Sequence, residues 1–413
     1  MLRQIALLGA GTIGACVAVE LLEGRVPEAS LKKILVKDLS KKRPIPSSLI
    51  TDQIEQIISD PEIGIVIELI GGVDPAFDYL GACLRAGKAV ITANKELIAK
   101  KGAILFDLAD DHKTQIRLDA TVGGGIPIIS TLIGSLKTNQ ITEIIGILNG
   151  TTNYILTAMA GGKDFGEALR EAQERGYAEP DPSSDISGAD ARYKIAIMAS
   201  LAFQTEIRPD QVTCEGIERV SAVDFRFAEQ LGYNIKLIGH CQRTDDHHEI
   251  NASVHPTLIR SQHPLAKIDG VLNAVSLRGD LVGELLLVGP GAGPKATTSS
   301  ILGDLQAVLA GDRGLSGFSY QARQNPNTMA QRYYLRLKVL DQLGVMRDLG
   351  AVLAKYQISL ESLSQQITDP EKGEACLLVI THKVSDTSLY AAIEELKSLA
   401  WLKSFEAILH VLD

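Results

Sequence analysis

The chain has 413 residues, 45% hydrophobic and 22% charged, with a formal net charge of −9; it is too long for one ordinary core and predicts a globular protein of two or three domains. The acidic balance, without a lysine or arginine stripe interleaved with aromatics, argues against nucleic acid as a partner, and no apolar run approaches the roughly 20 residues of a membrane span. Five scattered cysteines, Cys16, Cys83, Cys214, Cys241 and Cys376, offer neither a zinc pattern nor a disulfide framework, and the chain enters its first strand without a basic leader, so a reducing, cytoplasmic setting is expected.

RQIALLGAGTIGACVAVELL, from residue 3, predicts a strand, a glycine turn and a helix. Gly9 allows the tight bend, Gly11 lets a pyrophosphate approach the backbone, and Gly14 lets the helix pack closely; Thr12 and Ile13 open the helix whose N-terminus faces the anion. KKILVKD, IGIVIELIGG and KAVITANK read as further buried strands, alternating with helical patterns such as FDYLGACLRAG. That is the alternation of a parallel sheet, and residues 1–130 are read as a Rossmann dinucleotide-binding domain. At the second strand's tip Asp38 would accept from a ribose 2′-hydroxyl, whereas Lys37 and the run Lys41-Lys42-Arg43 would hold a 2′-phosphate, the run otherwise being a solvated face. NADP(H) is the expected cofactor and NAD the alternative. Gly72, Thr92 and Lys95 fall at or just past strand ends, where open α/β sheets put their ligand crevice, and are assigned to the cofactor. Lys95 is also a candidate for holding substrate or moving a proton, against the plain reading of a helix-start lysine in water.

DATVGGGIPIIS carries the consecutive glycines 123–125, where backbone can approach a ligand or an ion, and marks the passage to a second domain. Residues 131–318 mix strands (EIIGIL, INASV, ELLLVG) with helices, as an α+β catalytic and oligomerisation domain would. Within it GYAEPDPSSDISGADARYK is an acidic turn running into a helix. Asp190 and Lys194, four residues apart, share one face of that helix, with Glu179 and Asp185 delivered from the turn. Such a group can hold an amino-acid ammonium and give a proton to a carbonyl oxygen, which reduction of an amino-acid aldehyde requires. A surface ion pair is the bland alternative, but the run IAIMASLAF after Lys194 predicts a buried helix, where charges need partners or a job. GPGAG at 289–293 puts Gly291 against the cofactor or in a plain turn, and His247 and His248 in TDDHHE read as solvated loop residues. SYQARQNPNTMAQR, 319–332, reads as a linker; residues 333–413 then give strand, helix, strand, strand, helix, a βαββα regulatory-type module.

GAGTIG, ELIGG (68–72), TANKELIAKKG (92–102), DATVGGGIPII, GILNGTTNYIL (146–156), GYAEPDPSSDISGADARYKIAI and VHPTLIRSQHPLAKIDGVLNAV (254–275) together resemble homoserine dehydrogenase, in order and over nearly the whole chain. The resemblance implies reversible, NAD(P)H-dependent reduction of L-aspartate 4-semialdehyde to L-homoserine, on the path to threonine and methionine. It implies Lys194 as the catalytic lysine with Asp190 its partner, Lys95 as a second lysine at the reacting centre, and Glu179 as the ligand of the substrate's amino group. It also implies a structural monovalent cation, sodium, on the backbone carbonyls of Asp119, Val122, Gly124 and Ile126. The terminal module resembles an ACT domain, which in this family often senses threonine, and a homodimer or tetramer assembled through the second domain is expected. Three positions depart from the family: Asp119 where glutamate is common, Tyr193 where histidine or arginine often precedes the lysine, and Leu343 where the ACT loop usually has proline. Two other readings stand beside this one: a dehydrogenase of another small hydroxy or oxo amino acid, and a nucleotide-binding amino-acid sensor without turnover. Retention of Glu179, Asp190, Lys194 and Lys95 together argues against the sensor.

Overall fold

The computed structural model describes residues 2–243, 249–315, 320, 330–369 and 371–412; the histidine pair 247–248 and most of the expected linker lie outside the described residues. The first unit comprises β1 (Arg3–Leu8), α1 (Thr12–Leu22), β2 (Ala29–Leu35), β3 (Ile50–Thr51), α2 (Glu55–Ile58), β4 (Ile63–Glu68), α3 (Ala76–Arg85), β5 (Ala89–Thr92), α4 (Lys95–Asp111) and β6 (Ile116–Arg117). Its strands form a parallel sheet in the order β3-β2-β1-β4-β5-β6. Ile5 and Leu7 pack with Val17, Ala18 and Leu21 of α1, while Ala6 and Leu8 face the layer of α3 and α4. Covered on both faces, β1 has to be apolar at successive positions, which is why its sequence shows a continuous run. The strand order reverses between β1 and β4, and a crevice opens beyond their carboxyl ends.

The second unit adds α5 (Ile128–Ser130), β7 (Ile141–Ile147), α6 (Gly150–Ala160), α7 (Phe165–Glu174), α8 (Ser183–Ile186), α9 (Ala189–Phe203), β8 (Thr213–Cys214), α10 (Ala222–Gln230), β9 (Tyr233–Arg243), β10 (Ile250–Arg260), β11 (Leu272–Gly279) and β12 (Gly283–Pro290). These strands run β12-β11-β7-β9-β10, each antiparallel to its neighbour, with β8 beside β10. α9 lies between this sheet and α4. It is buried almost all round, so IAIMASLAF has no polar stripe. α11 (Pro294–Leu309) follows β12, yet its Ile301 and Leu305 pack with Val17 and Leu21 of the first unit. The chain thus crosses back over the crevice, and Gly293 and Thr297 border it.

The terminal module contains β13 (Arg332–Leu340), α12 (Val345–Lys355), β14 (Leu360–Asp369), β15 (Glu374–Thr381) and α13 (Asp386–Lys397), the five expected elements, and then a sixth, β16 (Leu402–Leu412). The βαββα reading stops short of β16 because Lys403, Ser404 and Glu406 leave its first half only partly buried and blur the alternation. β16 pairs with β13 on one side and, over three residues, with β10 on the other, so one ten-stranded sheet runs through both units. A buried ion pair ties them again. Arg336 of β13 sets Nε 2.7 Å from Asp224 Oδ1 and Nη2 3.1 Å from Oδ2 on α10, and Tyr334 Oη donates to the same carboxylate at 3.1 Å. Among the described residues no helix is long and apolar enough to cross a membrane.

At this seam the rings of His255 and His410 stack with centroids 3.8 Å apart. Burial, aided by His240, pushes His255 down to about 4; burial and His255 together push His410 well below its ordinary value. Both rings are therefore neutral in the folded chain near pH 7, whereas an unfolded histidine takes up its proton near pH 6.5. Below about 6.5 the unfolded state binds protons that the folded state refuses, so stability falls as pH drops toward about 4. Thermal melts across that window should show this decline, and His255→Phe should flatten it; an unchanged slope would remove the stacked pair from the explanation.

Candidate active site

In the glycine turn after β1, packing constrains Gly9 and Gly14 but not Gly11. Gly9 has φ +103°, and a Cβ there would meet the Leu69 carbonyl at 2.7 Å; a Cβ on Gly14 would meet the Gly9 carbonyl at 2.3 Å. Those two are fixed by the protein's own packing. Gly11, the N-cap of α1, has nothing within 4 Å of its would-be Cβ, so its missing side chain leaves space outside the fold, at a helix N-terminus suited to an anion.

Facing this turn is a cleft of about 760 Å³. Ile13, Lys95 and Gly291 line it from the expected cofactor set, and Glu179, Asp185, Asp190 and Lys194 line it from the second unit. The remaining cofactor candidates are not among its lining residues. Gly72 (φ +72°) uses its carbonyl to accept from Asn94 Nδ2 at 2.6 Å, and Thr92 donates to Glu68 Oε2 at 2.6 Å. Glu68 is fully buried and also accepts from the Ile70 and Gly71 amides at 2.7 and 3.2 Å. Gly72 and Thr92 thus hold the loop after β4 in shape. Lys37 and Asp38 are exposed beyond β2. Asp38 accepts from Ser40 Oγ and N at 2.6 and 2.8 Å, bonds that hold its carboxyl below the usual range. Arg43 turns back to the Asp38 and Lys41 carbonyls, both at 2.8 Å.

The charged centre is tighter than the spacing alone required. Lys194 Nζ lies 2.6 Å from Asp190 Oδ2 and donates to the Leu148 carbonyl at 2.7 Å. Lys95, first residue of α4 behind its Asn94 cap, reaches Asp190 Oδ1 at 2.9 Å. One carboxylate therefore joins two amines from separate units, so Lys95 does not point away into water. Burial works against the charge on Asp190, but Lys194 and Lys95 outweigh it and hold the carboxyl well below its ordinary range. Asp190 in turn raises Lys95 against the opposing effect of its burial. Asp185 goes the other way: burial lifts it, and the charge of Asp190 adds to the lift. Glu179 is exposed at the rim.

The structure adds a residue that sequence reading passes over. Asn149 precedes α6 and gives its amide nitrogen to Asp185 Oδ1 at 2.7 Å and to Asp190 Oδ2 at 2.9 Å. An asparagine between an apolar strand and a helix start is a recognisable N-cap signal, but nothing local tells what its other end touches.

The proposed cation ligands sit under the second glycine loop, where Gly123 and Gly124 have φ +73° and +55°. The carbonyls of Asp119, Gly124 and Ile126 each accept one internal hydrogen bond, from the Val122 amide (3.3 Å), Ser300 Oγ (2.6 Å) and the Ile128 amide (2.8 Å). A carbonyl has a second lone pair, so each of these three oxygens keeps capacity for one further contact. The Asp119 side chain is occupied otherwise, accepting from the Ile129 and Ser130 amides at 2.8 and 3.0 Å. Its own amide donates to Asp304 Oδ2 at 2.9 Å, and burial pushes Asp304 up to about 7. A Cβ on Gly124 would lie 2.5 Å from the Gly291 carbonyl, so the two glycine loops are in backbone contact at the cleft.

Three family profiles match the chain: homoserine dehydrogenase, NAD binding domain, over residues 9–119; homoserine dehydrogenase over 127–306; and ACT domain over 333–400. The chain is similar to the homoserine dehydrogenase of Synechocystis sp., 40% identical with 100% of both chains covered, and to that of Bacillus subtilis, 38% identical over 96% of this chain and 95% of the relative. A solved homoserine dehydrogenase from Thiobacillus denitrificans superimposes with a TM-score of 0.92 at 33% identity, covering 100% of this chain and 99% of that one. A hyperthermophilic archaeal homoserine dehydrogenase in complex with NADPH covers 75% of this chain and 98% of its own, with a TM-score of 0.63 at 27% identity. Likeness of this extent, carried by a chain whose nucleotide-type glycine turn faces a buried carboxylate with two lysines, places it in the homoserine dehydrogenase family.

Proposed function

We propose that the cleft interconverts L-aspartate 4-semialdehyde and L-homoserine, with Lys194 as the acid–base group, Lys95 as a second cation at the reacting oxygen, and Asp190 orienting both. The observation that carries this is the pair of ammonium groups 2.6 and 2.9 Å from one buried carboxylate, facing a glycine-turn nucleotide fold. A bound nicotinamide supplies the hydride to the aldehyde carbon, or takes it back. Negative charge builds on the aldehyde oxygen, where fixed cations lower the barrier. Lys194 then gives a proton to that oxygen in reduction and accepts it from the hydroxyl in oxidation. Asp185 and Glu179, at the same cleft, take the substrate ammonium.

The cofactor is NADP(H) in this reading, with Lys37 and the Lys41 to Arg43 run near the adenosine 2′-phosphate; the NADPH-bound archaeal relative lends support. Sodium on the carbonyls of Asp119, Val122, Gly124 and Ile126 would brace the loop that touches Gly291. The ACT module is the threonine sensor, although Leu343, in place of the usual proline, is fully exposed between β13 and α12. Self-association proceeds through the second unit, where Leu272, Leu281, Val282 and Val288 expose apolar side chains that a second copy would cover. The cytoplasm remains the expected location.

Formation of reduced nicotinamide from L-homoserine, followed by absorbance with NADP and then with NAD, tests the reading. Turnover of homoserine far above serine or malate, with a lower KM for NADP, is expected. Preference for serine or malate would overturn the substrate, and equal KM values for the two cofactors would overturn the phosphate site.

A further inference from the structure

Asn149 sits at the end of the turn between β7 and α6, 5% exposed, and every polar atom of its side chain is in use. Its Oδ1 accepts from the Thr152 amide at 2.8 Å and Thr152 Oγ1 at 3.0 Å, capping α6. Its Nδ2 spans from Asp185 to Asp190. The amide's orientation follows from these partners, because reversing it would set an oxygen against two carboxylates and an NH₂ against the Thr152 N–H. The residue before it, Leu148, gives its carbonyl to Lys194. We infer that Asn149 is a positioning residue for the reaction, holding the carboxylates of Asp185 and Asp190 side by side so that one meets the substrate ammonium while the other meets the two lysines.

A cap alone does not account for this choice of side chain. Serine and aspartate cap helices about as well as asparagine, but serine is too short to reach both carboxylates and ionised aspartate has no hydrogen to give. Asn149 alone among these can accept at the helix and donate twice at the cleft. Without those donors Asp185, which faces Asp190 and Lys194 from α9 and Thr151 from α6, keeps the charge of Asp190 beside it and loses the bond that favours its ionised form.

The inference rests on the homoserine reading above, and Asn149→Ser and Asn149→Asp in the full-length chain test it separately from that reading. Both substitutions keep the cap; Asn149→Ser should melt close to the wild type, whereas Asn149→Asp sets a third carboxylate against Asp185 and Asp190 and should melt lower, so its kinetics are read below its transition. Asn149→Ser is expected to lower kcat/KM for homoserine about 10- to 100-fold, the worth of hydrogen bonds to charged groups. KM for homoserine should rise, KM for the nicotinamide cofactor should hold, and the acid limb of the kcat/KM profile should move to higher pH. Asn149→Asp, which turns two bonds into repulsion, should lose more. A wild-type chain that does not oxidise homoserine would overturn the reading itself. An active wild type whose Asn149→Ser or Asn149→Asp variant folds and keeps both kcat/KM and the acid limb would leave Asn149 a helix cap and nothing more.

Discussion

Replacing Lys194 with alanine is expected to cut kcat for homoserine oxidation by about 10²–10⁴-fold, the usual worth of a positioned acid–base group, while the chain stays folded. Lys194 is itself nearly buried, and two contacts go with it, to Asp190 and to the Leu148 carbonyl. Asp190 is not left as an unpaired buried charge, because Lys95 remains 2.9 Å from Oδ1 and Asn149 2.9 Å from Oδ2. The buried Leu148 carbonyl loses a donor, and water entering from the cleft into the space that the Lys194 side chain vacates can replace it. Lys194→Met keeps the stem and should lose as much activity as the alanine variant, since only the ammonium acts on the oxygen. Lys95 is a poor substitute. It comes from the other unit and is held on the opposite oxygen of Asp190, Oδ1, so it does not take the place that Lys194 leaves beside Oδ2 and the Leu148 carbonyl. Steady-state kinetics with a parallel thermal melt decide the matter, and a near-normal kcat in a folded Lys194→Met chain would withdraw the acid–base role from this residue.

What the sequence revealed of this centre follows the range of the interactions. The i,i+4 spacing of Asp190 and Lys194 is a property of one helix, and the apolar run after it announces burial, so their ion pair was readable before any fold was known. Gly9 and Gly14 were readable because the turn they serve is local. The meeting of Lys95 with Asp190 depends on α4 packing against α9; the strand-end position of Lys95 points to the crevice, but only family likeness puts it at one centre with Asp190 and Lys194. Asn149 and Glu68 escaped because each caps or braces locally with one end and serves a distant group with the other, and only the first end leaves a mark in sequence. α11 and β16 show the same limit at the scale of elements. α11 is helical by its own pattern, but its return to the first unit is set by packing; β16 is stabilised from both sides by β13 and β10, which lets its polar first half remain a strand.

Asp224→Ala is expected to be the most damaging single change outside the cleft, costing about 3–5 kcal/mol, the range for removing one partner of a buried ion pair. Asp224 is fully shielded and takes three hydrogen bonds from β13, two from Arg336 and one from Tyr334. It also closes the N-terminus of α10, accepting from Ser221 N and Oγ, both at 2.9 Å. Its removal strands the Arg336 guanidinium, 9% exposed, whose other acidic neighbour, Glu406, stands 3.8 Å away and is itself partly in solvent. Neither water nor Glu406 can replace a bidentate carboxylate there. The loss falls where the terminal module meets the catalytic unit, and the other strand contact at that place is the three-residue pairing of β10 with β16. Calorimetry should therefore show the module's transition moving to lower temperature, ahead of the rest. Homoserine oxidation measured below that transition should persist, because Asp224 does not line the cleft. Asp224→Leu combined with Arg336→Met should recover much of the lost stability, since replacing both members of a buried pair by apolar residues spares the desolvation penalty that removing one of them leaves behind. A double variant as unstable as the sum of its single changes would mean that the two residues stabilise their own units independently, and that the ion pair is not what joins the module to the sheet.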